Sequence, residues 1–480
     1  MNYSIIRYII GWILRFEGIF LLLPFLVSLI YREECFYAFP VVSVGCYAVG
    51  YLFSFRKPKD TSLYTREGFM SVALGWIIMS IAGAIPFVIN GDIPNYVDAL
   101  FETISGLTTT GASILSDVEC LSHSGLFWRS FTHWIGGMGV FVFIMAILPL
   151  MGGSSMNLMK AESPGPSVGK LVPRVKDTAK ILYIIYLGIT IAETILLCCG
   201  GMSLFESLTT SFGTVGTGGF GIRNSSLGEC STYVQIVVTV FMILSGVNYT
   251  FYFYLLHRKF KSAFSIEEIR WYFVIIIGSI LLISANIRHM YPTYGDALLH
   301  SGFQVGSIIT TTGFSTTDFD LWPQLSKTIL LILMFLGACA GSTGGGMKVS
   351  RFAIYTKTIR KELSMLIHPR AIKKIKMDGH SIPHEVVRSA NVFLAVYCVI
   401  VLFSTLLLSI DNYGFTTNFT ATVATLNNIG PGFDLVGPTQ NFSIFGVFSK
   451  FVLMFNMLAG RLELFPMLIL FYPSAWRKHQ

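Results

Sequence analysis

Thr310-Thr311-Thr312-Gly313-Phe314 is the stretch from which the fold can be read, and Thr108-Thr109-Thr110-Gly111-Ala112 nearly repeats it. The two blocks agree upstream as well. Phe101 and Phe303 precede Gly111 and Gly313 at one shared offset, and Ser105 and Ser307 at another. Two looser copies are Thr214-Val215-Gly216-Thr217-Gly218-Gly219-Phe220 and Asn427-Asn428-Ile429-Gly430-Pro431-Gly432-Phe433. With Gly111, Gly218, Gly313 and Gly430 taken as matching glycines, the copies stand about a hundred residues apart, the mark of an internal repeat. Each copy ends a mildly polar helical stretch and precedes a long apolar run.

A dehydrated cation needs oxygens on all sides, and rings of backbone carbonyls from several symmetric loops can replace its hydration shell. Glycine permits the left-handed backbone that aims successive carbonyls at one axis, and threonine adds a hydroxyl oxygen. One chain with four such loops can close a ring alone. A single copy, read by itself, is an ordinary Gly-capped helix end. Four copies in an apolar chain argue for the ring.

The chain has 480 residues, 53% hydrophobic and only 12% charged, with a mean hydropathy of +0.64. A soluble domain carries about a quarter charged residues, so the composition specifies a polytopic membrane protein. Apolar runs predict about ten spanning helices, near 5–30, 36–55, 68–90, 127–150, 181–202, 232–256, 271–287, 326–350, 388–410 and 444–472. Residues 8–30 are too long an apolar run for a cleavable signal peptide and lack a small-residue cleavage site. The eight cysteines show no metal spacing; Cys120 and Cys230 fall in outer loops, free or paired.

The net charge of +8 is not spread as a nucleic-acid surface would be. It gathers at alternate loops: Arg56, Lys57, Lys59 and Arg66; Lys160, Lys170, Arg174, Lys176 and Lys180; Arg258, Lys259, Lys261 and Arg270; and a long series from Arg351 to Arg388. The positive-inside rule puts these loops and both termini in the cytoplasm. The opposite loops are acidic (Asp92, Asp98, Asp117, Glu119, Asp318, Asp320, Asp434), which predicts a cation-attracting vestibule, solvated loop ends being the plainer reading. Within this frame 1–60 form an extra N-terminal helix pair. Four repeats follow: 61–160, 161–260, 261–370 and 371–480. Helical units at 68–150, 181–256, 271–356 and 388–473 each start and end inside, so they are parallel about an axis along the membrane normal. The expected fold is all-α and polytopic: four parallel membrane–pore–membrane repeats around a central pore, with four re-entrant pore helices.

Several motifs together resemble the Trk/Ktr/HKT superfamily of potassium transport proteins: TTTGAS (108–113), HWIGGMGVFVF (133–143), TVGTGGFG (214–221), TTTGFST (310–316), GSTGGGMK (341–348), NNIGPGF (427–433) and NMLAGRLELFP (456–466). The resemblance covers nearly the whole length, and the extra helix pair places it in the TrkH-like branch. It implies K+ held at Thr109, Thr110 and Gly111; Gly216, Thr217 and Gly218; Thr311, Thr312 and Gly313; Asn428, Ile429 and Gly430. Gly111 stands where the sodium-preferring plant branch often has serine, which favours potassium. Units two and four depart from the TTTG pattern. The resemblance also implies K+ uptake at the cytoplasmic (inner) membrane, a homodimer among membrane lipid, and a cytoplasmic nucleotide-binding TrkA-like regulatory subunit. No cofactor beyond K+ and no nucleic-acid partner is expected.

Arg461 lies within the run 444–472, about eleven residues or roughly 16 Å of helix from its inner end. A membrane-embedded arginine faces a bundle interior, a cavity or a partner. Glu463, two residues away, points to another face. Gly341, Gly344, Gly345 and Gly346 interrupt an apolar helix that glycine disfavours. The stretch is not a nucleotide-binding GxxxxGK loop, because Met347 displaces Lys348; small-residue helix packing is the alternative. In the family both features obstruct the pore, and equal offsets from Gly430 and Gly313 predict that Arg461 meets this loop. His133 and Trp134 read as an interfacial anchor rather than metal ligands. No catalytic triad, HExxH or paired-cysteine motif points to an enzyme. The competing classes are an H+- or Na+-coupled symporter and a polytopic intramembrane enzyme.

Overall fold

Apolar runs flanked by basic loops fold here as helices, several of which end short of the run that predicts them. The computed structural model describes residues 1–60, 64–137, 139, 175–370 and 373–477. The second half of the expected span 127–150, and Lys160, Lys170 and Arg174, lie outside the described residues.

Helix α1 (Tyr3–Phe20) continues almost directly into α2 (Leu22–Ile30), and α3 (Ala38–Ser54) returns beside α1. The α1–α3 contact is made by backbones. A Cβ on Gly11 would lie 2.8 Å from the Gly50 carbonyl oxygen, and one on Gly50 would lie 2.6 Å from that of Gly11. This is the small-residue packing of helices that cannot rely on water to drive them together. Next come α4 (Thr65–Asn90), the short α5 (Tyr96–Leu107) and α6 (His123–Gly137). Then α7 (Val175–Cys199), α8 (Leu204–Val215), α9 (Thr232–Ser245) and α10 (Tyr249–Leu256) follow. Helix α11 (Phe260–Ser265) leads into α12 (Glu267–Ile287), α13 (Tyr294–Ile309), α14 (Gln324–Leu336) and α15 (Val349–Ile367). A small antiparallel hairpin, β1 (Lys376–Met377) with β2 (His380–Ser381), precedes α16 (His384–Leu408), α17 (Phe415–Leu426), α18 (Val447–Arg461) and α19 (Phe465–Leu468).

The outside of this bundle is apolar: Ile30, Val274 and Leu402 are 76%, 67% and 70% exposed. Polar side chains are turned inward instead, with Ser105, Thr110, Ser207, Thr312 and Asn428 all fully buried. That inversion suits a hydrocarbon surround.

Several of the ten expected spans are bent or end early as helices. Among the described residues five helices are long and apolar enough to cross a membrane, or six if a bent pair counts as one. Helices α9 and α10, expected as one span over 232–256, meet at 95°. The run 326–350 ends as a helix at Leu336, where Gly337 turns left-handed at φ +67°. The run 444–472 ends at Arg461, followed by Glu463 and Leu464 at φ +57° and +68°. Arg461 therefore occupies a helix C-terminus, where its charge complements the dipole, rather than the middle of a continuous helix.

Candidate functional site

Four short helices aim their C-termini at one place. Helices α5, α8 and α13 start from side-chain caps at Asn95, Ser203 and Thr293, the last two as full capping boxes. Helix α17 starts at Gly414 without one. Each then ends in the same turn. The amides of Thr110, Gly218, Thr312 and Ile429 donate to the carbonyls of Ser105, Gly213, Ser307 and Ala424 at 2.8, 2.8, 2.8 and 2.9 Å. One residue earlier the backbone is left-handed at Thr109, Thr217, Thr311 and Asn428, with φ from +54° to +59°. For a β-branched residue that is a genuine outlier, of the kind that accumulates at functional sites.

The next left-handed residues are Gly111, Gly219, Gly313 and Gly430, at φ +78°, +75°, +88° and +95°. This corrects the register of the second copy. Gly219, not Gly218, is the counterpart of Gly111, and Gly218 occupies the place of Thr110, Thr312 and Ile429. The sequence Gly218-Gly219 offered two glycines, and only the turn's hydrogen bonds decide between them.

The four glycines close a circle. A Cβ on Gly111 would lie 2.1 Å from the Gly218 carbonyl oxygen, and one on Gly219 2.0 Å from that of Thr312. One on Gly313 would lie 2.2 Å from the oxygen of Ile429, and one on Gly430 2.8 Å from that of Thr110. Each loop thus presses its glycine on a carbonyl of the next, and the fourth presses on the first. Four helix C-termini, each carrying partial negative charge, converge on this ring. The Thr109 hydroxyl is buried there without a hydrogen-bond partner. Its oxygen is an acceptor left available at the ring.

Buried polar contacts hold the ring from behind. His133 reaches the Gly106 carbonyl through Nδ1 at 2.8 Å and accepts the Phe220 amide on Nε2 at 3.2 Å. Only the neutral Nδ1–H tautomer makes both bonds. His133 is fully buried, so it ties the first loop to the second and is not the interfacial anchor the sequence suggested. Trp134 donates to Thr190 at 3.1 Å, also in the interior. Arg129 and Glu102 form an ion pair beside them, and Lys450 on α18 meets Asp98 on α5 at 2.6 Å. The pairs at Glu102–Arg129 and Asp98–Lys450 escaped the sequence reading, although each places a charge in or beside an apolar run.

One face of the ring opens into a cavity of about 190 Å³ whose wall includes Gly111, Gly219, Gly313 and Gly430. Among the described residues its wall carries hydroxyls, amides and two arginines, Arg129 and Arg223, and no carboxylate. The acidic residues expected to form a vestibule stand behind this wall and bond locally. Asp92 accepts the Ser122 amide, Asp320 pairs with Lys327, and Asp434 accepts the Thr417 hydroxyl. At the rim, the hydrogen bond from Arg223 holds the Glu206 carboxyl below its usual pKa.

The other face is covered by the segment between α14 and α15. The Gly345 amide donates to the Thr311 hydroxyl at 2.6 Å. Only glycine fits here: a Cβ on Gly345 would lie 2.5 Å from the Asn427 carbonyl oxygen, and one on Gly344 2.9 Å from that of Thr310. Arg461 reaches the same point. Its guanidinium donates to the Thr343 carbonyl at 2.8 Å and to the Gly136 carbonyl at 2.5 Å. The predicted meeting of Arg461 with the glycine-rich segment is thus present. Glu463 turns away, as expected, and pairs with Arg351 at 2.5 Å. Lys348 is also buried, with its ammonium on the Gly344 carbonyl.

A family model described as TrkH, cation transport protein, matches residues 41–478. The chain belongs to the TrkH family. It is 36% identical over 488 residues to the Trk system potassium uptake protein TrkH of Escherichia coli (strain K12), covering 100% of both chains. It is 38% identical over 493 residues to the protein of that name from Vibrio parahaemolyticus serotype O3:K6 (strain RIMD 2210633), covering 99% of both. The crystal structure of the potassium transporter TrkH from Vibrio parahaemolyticus matches with a TM-score of 0.89 at 35% identity, covering 99% of this chain and 100% of that one. The match in fold thus takes in the α1–α3 pair as well as the four short helices.

Proposed function

We propose that this chain is the pore-forming, ion-translocating subunit of a Trk-type potassium uptake system in the cytoplasmic membrane, with both termini inside. The observation that carries the reading is the closed circle of Gly111, Gly219, Gly313 and Gly430, each pressed on a carbonyl of the next loop. Helices α5, α8, α13 and α17 act as re-entrant pore helices of four parallel repeats, and the ring is the selectivity filter. K+ sheds water at the outer cavity, takes oxygens from the ring and leaves on the far side. Segment 341–346 and Arg461 form the closed gate. A fixed cation about 4 Å from the ion path repels potassium by roughly 4 kcal/mol at an effective dielectric of about 20. The names of the relatives support potassium as the cargo.

The basic inner loops, without a nucleotide fold among the described residues, fit a soluble nucleotide-binding regulator of TrkA type, and the assembled unit is a homodimer in lipid. Coupling to protons is the second reading. Glu17 favours it, being buried in α1 with neither carboxyl oxygen hydrogen-bonded, and ionisable groups at membrane depth mark proton or ion routes. The test is radiotracer uptake into proteoliposomes holding the purified chain, with and without an imposed pH gradient. Potassium uptake above empty liposomes supports the reading, and its dependence on the pH gradient decides between channel-like and coupled transport. No uptake under either condition, with or without the regulator, contradicts it.

A further inference from the structure

The covering segment between α14 and α15 has a neck, closed by the Val349 amide on the Ala338 carbonyl at 3.1 Å and, from outside the segment, by one side chain. Glu268, in the first turn of α12, is only 4% exposed. Its Oε1 accepts the Ala340 amide at 2.7 Å and the Ser350 amide at 3.0 Å. These two amides flank the segment, so a single carboxylate oxygen gathers its entry and its exit.

Between those points the segment makes few anchoring contacts that a side chain outside it controls. The Gly345 amide rests on Thr311, the Thr343 carbonyl on Arg461, and the Lys348 ammonium folds back on Gly344 within the segment itself. Lys348 adopts φ +71°, a strained backbone that the surrounding contacts must enforce. The first turn of α12 is itself fixed from the far side. Glu267 pairs with Lys357 of α15 at 2.5 Å, and its amide donates to Asp378 in the β1–β2 turn at 2.7 Å. Glu268 is thereby presented from a held helix end to a segment rich in glycine.

We propose that Glu268 is the clasp of the segment: a positioning residue that, by binding both ends, keeps residues 341–348 folded against the ring. The proposal rests on the reading of this segment as the gate, but its first observable does not. Loss of the shared acceptor leaves two buried amides without a partner at once. Glu268→Ala removes both bonds. Glu268→Gln keeps the shape and a neutral acceptor, so it retains part of the hold.

The experiment is hydrogen–deuterium exchange of the full-length protein in nanodiscs, followed on peptides covering 341–347 and, as a control for general loosening, 204–219. Potassium flux is measured on the same preparations. In Glu268→Ala the peptide 341–347 should exchange roughly tenfold faster or more, Glu268→Gln should lie between it and wild type, and 204–219 should be unchanged. Unchanged exchange in 341–347 for both variants overturns the clasp, whatever the flux does. Equal acceleration of both peptides also overturns it, because the effect would then be general. Faster exchange confined to 341–347 with flux unaltered upholds the clasp and contradicts the gate reading instead.

Discussion

Arg129 and Glu102 meet at 2.5 Å with their side chains 3% and 0% exposed. Arg129 also donates to the Gly221 carbonyl at 2.8 Å, and Glu102 accepts the Ile114 amide at 3.0 Å. The pair therefore joins the exit of the first loop to the exit of the second. The positions at the Glu102 offset before Gly219, Gly313 and Gly430 are Thr210, Gln304 and Ala421, so the other three pore helices carry no carboxylate there.

Removing one partner of a buried ion pair costs about 3–5 kcal/mol because the other is left uncompensated. Arg129→Gln and Glu102→Gln should each lower the melting temperature of the purified protein strongly. The double variant should recover much of that loss, since no charge is then stranded. Additive losses in the thermal-shift measurement would show that the two residues act separately.

His133 spans the same seam with neutral hydrogen bonds at both ring nitrogens. His133→Ala leaves the Phe220 amide unsatisfied, which costs about 1–3 kcal/mol. His133→Gln, which can both donate and accept, should restore part of the stability and of the potassium-over-sodium preference. Equal behaviour of the two variants in melting and in ion preference would mean that His133 only fills space.

Arg461→Ala removes the bonds to Thr343 and Gly136 along with the positive charge. Basal potassium flux without the regulator should rise several-fold, and deleting Gly344–Gly346 should act in the same direction. Flux no greater than wild type in both, with normal amounts of protein in the membrane, would place the gate elsewhere.

Much of this arrangement is legible in the chain itself. The Thr-Thr-Thr-Gly copies and the glycine-rich interruption are local patterns, and each maps to a local structure. What stayed hidden depends on residues brought together from afar. Hydropathy counts apolar residues and does not register the 95° turn at Gly246–Asn248. Gly218 and Gly219 are equally plausible until the Gly218 amide is seen bonding Gly213. His133 looked interfacial because its partners, Gly106 and Phe220, are distant in sequence. Glu268 and Ser350 are likewise far apart along the chain, and no spacing rule links them.

The central claim is that the ring of Gly111, Gly219, Gly313 and Gly430 selects the ion. It is tested most directly by the ratio of potassium to sodium permeability in proteoliposomes, for wild type and for Gly111→Ser, Gly219→Ser and Gly313→Ser separately. At each site the new Cβ would press on the neighbouring loop's carbonyl oxygen, at 2.1, 2.0 and 2.2 Å respectively, and displace it. The account predicts a potassium-selective wild type and a loss of selectivity of roughly tenfold in all three variants, equivalent to about 1.4 kcal/mol. Folded variants that all keep the wild-type ratio would contradict it.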